Sequence, residues 1–150
     1  LAATDSLTRD AAERGKAYAY TNIAAIYLKL KEYKKSLNYE LMSLEYEKAR
    51  DDSLGIAISY QGIGELYDRL GKKDSAFYYL NYASNIFENE NYSYGLIRSL
   101  QGLSEQEPDS LIARLYLLRG LDLSIENGEA FGQLKMLNFI LIYFKILLIF

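Results

Sequence analysis

The sequence contains no cysteine and no histidine. Their absence removes thiolate catalysis, Cys/His zinc sites and imidazole acid–base chemistry together, leaving carboxylates, amines, hydroxyls and phenols as the reactive groups. A chain without cysteine fits a reducing or an oxidising compartment equally, so location stays open between cytoplasm and a bacterial periplasm. Proline occurs once in 150 residues, at Pro108, and strand-favouring runs are scarce, so the composition points to helix throughout. An excess of positive charge is also missing. Lys and Arg number 17 against 20 Asp and Glu, for a formal charge of -3, and nucleic acid is therefore not an expected partner. No charged-then-apolar leader opens the chain, and Leu1 stands where a methionine would, which reads as an excised or processed piece.

What is present is apolar material and a period. Half of the residues are hydrophobic, enough for the core of one domain. Gly15, Gly55 and Gly95 are spaced 40 apart, and the segments that follow them align: GKAYAYTNIAAIY, GIAISYQGIGELY and GLIRSLQGLSEQE. A fourth segment, GQLKMLNFILIYF, starts at Gly132, three residues early, and Ala113 falls three residues early relative to Ala76. One deletion around SEQEPDS accounts for both offsets. The expected division is a tail of a preceding helix over 1–14, repeats over 15–54 and 55–94, a shortened repeat over 95–131 and a half repeat over 132–150.

Each unit carries two stretches of helical period. In the second, Tyr60, Ile63, Tyr67 and Leu70 share a face, Gly71-Lys72-Lys73 interrupts it, and Ala76, Leu80, Ala83 and Phe87 resume it, with Asp74 expected as the cap. The first unit predicts helices over about 16–30 and 36–49; the third predicts a break at Pro108 with Asp109 capping a helix to about Glu126.

The pattern Tyr60-x2-Ile63-Gly64-x2-Tyr67, then Ala76-x3-Leu80 and Ala83, resembles the tetratricopeptide repeat. Tyr20-x2-Ile23-Ala24-x2-Tyr27 with Ser36 and Ser43 is a looser copy that carries Glu40 where an apolar residue is typical; Leu100-x2-Leu103-Ser104 with Ala113, Leu117 and Gly120 is a third, and Leu137-x2-Ile140-Leu141-x2-Phe144 is half of a fourth. The repeat is 40 residues long rather than 34 and lacks the terminal proline, like the longer-helix variants found in bacterial regulatory proteins. The resemblance implies an all-α, right-handed superhelical solenoid of about three and a half antiparallel hairpins. Its function would be protein or peptide binding, in the regulatory or sensory part of a bacterial protein, with no catalysis and no cofactor or metal.

The two glycines of YQGIGELYDRLG are then packing residues. A dinucleotide fingerprint would need a third glycine at Tyr67 and a preceding strand. Gly64 aligns with Ala24 and Ser104, where a small residue admits the second helix of the hairpin, and Gly62 is expected to face a groove.

In such solenoids the first helices line the concave surface. Carrying the family's groove over gives Tyr18, Thr21, Asn22, Ala25 and Lys29, then Ile58, Gln61, Gly62, Glu65 and Asp68, then Arg98, Gln101 and Gly102. The plain alternative is that these are solvated helix faces; a clamp on a terminal carboxylate finds only Asn22 and Arg98 as suggestive members. The 15 tyrosines could stack bases or sugars but read better as hairpin packing, and the pairs Asp51-Asp52, Glu105 with Glu107 and Asp122 with Glu126 sit near helix ends or exposed faces, where charges are simply solvated. Asn91-Tyr92-Ser93 matches a glycosylation acceptor, a pattern short enough to recur by chance.

The run MLNFILIYFKILLIF, Met136 to Phe150, is apolar on every face and at 15 residues is short of the ~20 needed to span a bilayer. Three readings are open: burial against a second copy of the chain, a first helix cut from its partner, or a truncated anchor. The first two together are favoured, and the expectation is a homodimer or swapped assembly through residues 133–150, with Leu137, Phe139, Ile140, Phe144, Leu147 and Phe150 at its centre. A membrane-attached structural component is the alternative.

Overall fold

The computed structural model describes residues 2–128 together with 133, 136–138, 140 and 141. The described residues form helices and turns, with no strand among them. The helices are α1 (Ala2–Lys29), α2 (Tyr33–Ala49), α3 (Ser53–Arg69), α4 (Lys73–Asn89), α5 (Ser93–Gln106) and α6 (Ser110–Glu126). They pack as the hairpins α1–α2, α3–α4 and α5–α6, each stacked on the next. The result is the expected all-α solenoid.

The turns share one device. Lys31, Asp51, Gly71 and Asn91, spaced 20 apart, all hold positive φ, at 59°, 51°, 71° and 54°. At each, the residue after the turn donates its N–H five residues back (Glu32 to Tyr27, Asp52 to Glu47, Lys72 to Tyr67, Tyr92 to Phe87), and the turn residue donates three back. This paired closure satisfies carbonyls that a helix end would otherwise leave open. The next turn differs because Pro108 holds Glu107 in an extended conformation (φ -77°, ψ 119°). There α5 has 14 residues where α3 has 17, and Asp109 caps α6 by accepting from the N–H groups of Leu111 and Ile112.

Two expectations about helix ends are corrected. Residues 1–14 were expected to end an earlier helix, but α1 runs unbroken from Ala2 to Lys29. Alanines and charged helix formers precede Gly15, and no residue there takes the left-handed backbone that ends α2 at Asp51 and α4 at Asn91. Asp74 was expected to cap α4. That helix starts earlier, at Lys73, because the turn at Gly71 makes Lys72 the capping position, and Asp74 lies in the first turn.

Close approach explains the small residues. A Cβ on Gly64 would stand 2.8 Å from Leu80 Cγ and 3.2 Å from the Leu80 backbone nitrogen, so α4 lies directly against α3 at that point. In the first hairpin serines occupy the small sites, and both are buried and satisfied: Ser36 Oγ donates to Ala24 O (2.7 Å) and Ser43 Oγ to Ala17 O (3.1 Å). Tyrosines fill the hairpin flanks at matching positions. Tyr27 stacks on Tyr39 at 5.4 Å as Tyr67 stacks on Tyr79 at 5.4 Å, while Lys35 and Lys72 lie over the Tyr27 and Tyr67 rings. The main apolar cluster joins successive hairpins through Ala57, Ala83, Phe87, Leu96 and Leu100, and a second gathers Ile97, Leu117 and Met136.

One ion cluster ties α1 to the α2–α3 turn. The Arg50 guanidinium donates to Asp10 Oδ1 (2.8 Å), Glu47 Oε2 (2.8 Å) and Asp52 Oδ2 (3.4 Å). Arg50 holds the Asp10 carboxyl below its ordinary pKa.

Candidate functional site

The first helices of the second and third hairpins, α3 and α5, meet directly, and three of their side chains stitch them along their length. Gln61 Nε2 donates to Gly95 O (2.9 Å) and Ser99 Oγ (2.8 Å). One turn on, Arg98 Nη2 donates to Glu65 Oε1 (2.5 Å), and Gln106 Nε2 donates to Asp68 Oδ1 (2.8 Å). Between the second and third stitches lies a cavity of about 150 Å³, floored by Leu80 and bordered by Glu65, Asp68, Arg69, Arg98, Gln101, Gly102, Glu105 and Gln106. Gly102 keeps the floor open, since a Cβ there would meet Leu80 Cδ1 at 2.8 Å. A second hollow, against Leu28, Lys29, Lys31 and Tyr33, shares Glu65 and Arg69 with the first.

Of the thirteen groove candidates, Glu65, Asp68, Arg98, Gln101 and Gly102 come together in the first cavity and Lys29 joins Glu65 in the second. Tyr18, Asn22, Ala25 and Ile58 are exposed. Tyr18 lies with Asp10, Arg14 and Gly15 over a separate hollow on α1. Thr21 is half-buried, with its hydroxyl 3.0 Å from Ser43 Oγ, so it serves the α1–α2 contact. Gln61 must be moved from the groove to the frame. It is 6% exposed and its amide group bridges α3 to α5, which leaves it no free surface for a ligand. Of the C-terminal candidates, Leu137 is exposed and Ile140 packs against the second apolar cluster, whereas Phe139, Phe144, Leu147 and Phe150 lie outside the described residues.

Gly62 is half-buried above a carboxyl group that the repeat pattern had marked as odd. A Cβ on Gly62 would stand 3.0 Å from both Cδ and Oε1 of Glu40, which reaches between the hairpins as Leu80 does under Gly102 one repeat later. Glu40 is 8% exposed and its Oε2 has no hydrogen-bond partner among the described residues. Burial, with a smaller push from the Glu65 carboxylate, raises its pKa to about 8. Among the described residues Gln106 Oε1 is the other buried side-chain acceptor without a partner.

The carboxylates singled out by pairing resolve locally. Asp52 caps α3 by accepting from Gly55 N–H, Glu105 accepts from Gln101, and Glu107 accepts from the Asp109 N–H. Among the described residues no group of three or more carboxylates has the arrangement of a metal site. Gln106 escaped sequence reasoning because it sits beside the deletion, where register is lost; Glu40 carried a legible signal, a carboxylate in the column of Leu80 and Leu117.

This stacked-hairpin geometry meets its sequence counterpart in a match of the tetratricopeptide repeat profile to residues 15–89, half of the chain. The chain belongs to the tetratricopeptide repeat family. The crystal structure of the apo form of RapI is similar, with a TM-score of 0.71 and 27% identity, over 75% of this chain and 42% of that one. The chain thus spans less than half of RapI's length. No curated protein matches it. Tetratricopeptide arrays are in general interaction scaffolds whose partners are proteins or peptides.

Proposed function

We propose that this tetratricopeptide array is the regulatory or sensory part of a bacterial protein and binds a protein or peptide along the face formed by α1, α3 and α5. One observation carries the reading: polar side chains stitch α3 to α5 around an open cavity whose rim of carboxylates, guanidiniums and amides faces outward. A solenoid whose first helices are drawn together in this way presents them as a continuous groove. The longer repeat supports the regulatory role, and the likeness to RapI supports the repeat scaffold. The contacting surface comprises Asn22, Ala25, Lys29, Ile58, Gly62, Glu65, Asp68, Arg98, Gln101 and Gly102.

Cross-linked capture from host lysate tests it, comparing the natural chain with the variant Ala25→Glu, Ile58→Lys, Gln101→Lys. Loss of a defined partner by the variant is the expected result. Equal capture by both chains, with circular dichroism unchanged, would rule out the groove.

A second reading concerns the C-terminal segment. Met136 and Ile140 pack inward against Ile97 and Leu117, yet Leu137 and Leu141 are 45% and 55% exposed. Apolar residues thus point both ways, which supports homodimerisation through residues 133–150. Among the described residues no helix is long and apolar enough to cross a membrane. Leu137→Glu with Leu141→Glu should convert a dimer to monomer in light scattering. A natural chain already monomeric without detergent would remove the dimer, and one that needs detergent would favour the anchor.

A further inference from the structure

The outer face of α6 carries an apolar stripe that the other second helices lack. Leu111, Leu115, Leu118, Asp122 and Ile125 recur every three or four residues and are all exposed, Leu111 to 68%, Leu115 to 64% and Ile125 to 57%. The opposite face of the same helix is already buried through Ala113, Leu117, Gly120 and Ser124. A helix apolar on two opposite sides is ordinarily covered on both. The repeat supplies the comparison. Aligning Ala113 with Ala76 and Ser36 makes the equivalent column Lys34, Asn38, Leu41, Glu45 and Lys48 on α2, and Asp74, Tyr78, Asn81, Asn85 and Glu88 on α4. Both columns are mainly polar and stay exposed at four of their five positions, although a further hairpin is stacked on each. A following hairpin therefore does not cover this column, and the stripe on α6 calls for a different occupant.

We infer that the outer face of α6 is a self-association surface, on which a second copy of this chain lays its own α6 in the antiparallel sense about Leu118. The stripe is close to symmetric about that residue. Leu111 and Ile125 lie seven positions to either side of it, and Arg114 and Asp122 lie four, so an antiparallel copy sets leucine against isoleucine and Asp122 against Arg114. A parallel copy would instead bring two Asp122 carboxylates together inside the apolar seam, where like charges repel. Arg114 stands half-buried at the edge of the stripe, and its five donors can serve this carboxylate along with another acceptor. One face of a 17-residue helix offers a patch on the scale of ~300–600 Å², below the ~800 Å² per partner of a standard interface. The pair is therefore weak, with a dissociation constant of roughly 10–100 µM. It is separate from the contact proposed for residues 133–150, and it rests neither on that reading nor on the groove.

Sedimentation velocity of the whole chain from about 1 to 300 µM tests it, with and without Leu137→Glu and Leu141→Glu, so that the C-terminal contact is read separately. The expected result is the same concentration-dependent doubling of mass in both. Leu111→Lys, Leu115→Asn and Ile125→Lys together give α6 the residues that α2 carries in this column. That variant should keep its circular dichroism and associate about ten-fold more weakly or worse. Asp122→Asn reports the orientation, because it should weaken an antiparallel pair by losing the Arg114 contact and strengthen a parallel one by removing repulsion. The natural chain has no cysteine, so single thiols complete the map. A mixture of Leu111→Cys and Ile125→Cys chains should form the mixed disulfide under mild oxidation, with little linking of either chain to itself. Self-linked Leu111→Cys chains, or tighter association of Asp122→Asn, would overturn the antiparallel arrangement. Mass unchanged up to the highest concentration, doubling that survives the three substitutions, or doubling lost with Leu137→Glu and Leu141→Glu would overturn the surface. Association seen only with phosphatidylcholine–phosphatidylglycerol vesicles would also overturn it and assign the stripe to a lipid surface.

Discussion

The Glu40 carboxyl lies beneath Gly62, close enough that a Cβ on the glycine would come within 3.0 Å of it. One repeat later Leu80 lies beneath Gly102 in the same way. The same seat between hairpins therefore holds a methyl-bearing side chain in one place and an acid in the other.

The acid should make stability depend on pH. Its pKa is raised in the folded chain, from 4.5 to about 8, so the folded state binds more protons than the unfolded state between those values. The stability it contributes as a neutral group is full below about pH 4.5 and is lost as pH rises through about 8. Urea unfolding should give a lower midpoint near pH 9 than near pH 5. Glu40→Leu should raise stability at the alkaline end by on the order of 3 kcal/mol and flatten the dependence. Some slope should persist, because burial and the neighbouring Asp52 raise Glu47 as well. An unchanged slope in the variant would mean that Glu40 is solvated.

Gly64→Ala should destabilise despite the better helix propensity of alanine. The added methyl would meet Leu80 Cγ at 2.8 Å and its backbone nitrogen at 3.2 Å, and backbone cannot rotate aside. A loss of about 1–3 kcal/mol is expected in thermal or chemical unfolding, against the ~1 kcal/mol gained in propensity.

Lys31→Gly should stabilise. Lys31 holds φ at 59°, a conformation that costs an L side chain about 1–2 kcal/mol and costs glycine little. After the greater unfolded-state entropy of glycine is subtracted, a gain of up to about 1 kcal/mol should appear as a higher melting temperature. Gly71→Lys, at the equivalent turn, should produce the opposite change.

Arg50→Met should loosen the start of the array. The side chain is 7% exposed, but carboxylates near the surface provide its cover, so solvent screening places the cost at about 1–2 kcal/mol and not at the several kcal/mol of a deep ion pair. Hydrogen exchange should quicken in the first half of α1, where Asp10 loses its partner. High salt should weaken the natural chain toward the variant.

The architecture was legible because it repeats. The 40-residue spacing, the close approach at Gly64, the Asp109 cap and the tyrosine packing each rest on local pattern, and pattern seen several times corrects its own errors. What escaped depends on residues far apart in sequence. Arg50 and Asp10 are 40 residues apart, and each alone reads as a solvated charge. Gln61 occupies a groove position by family register, yet α5 approaches near enough to cover it. Gln106 lies at the deletion, where register is lost, so no other repeat offers a copy from which its role could be read. The continuity of α1 was hidden for a different reason: alignment to a later turn suggested a break, but the local residues lack the backbone preference that makes one.

The turns at Lys31, Asp51, Gly71 and Asn91 also bear on how such a chain could have reached its present length. Because the same backbone closure recurs every 20 residues, a 40-residue block taken out or copied between two of them meets flanking helices at the angle it left. Nearest-neighbour interfaces are then conserved by construction, and the reach of the binding face can grow or shrink by whole hairpins. The Pro108 turn departs from that closure inside the α5–α6 hairpin, and Gly128 after α6 returns to it, with φ at 68° and its N–H donated three residues back to Ile125 O.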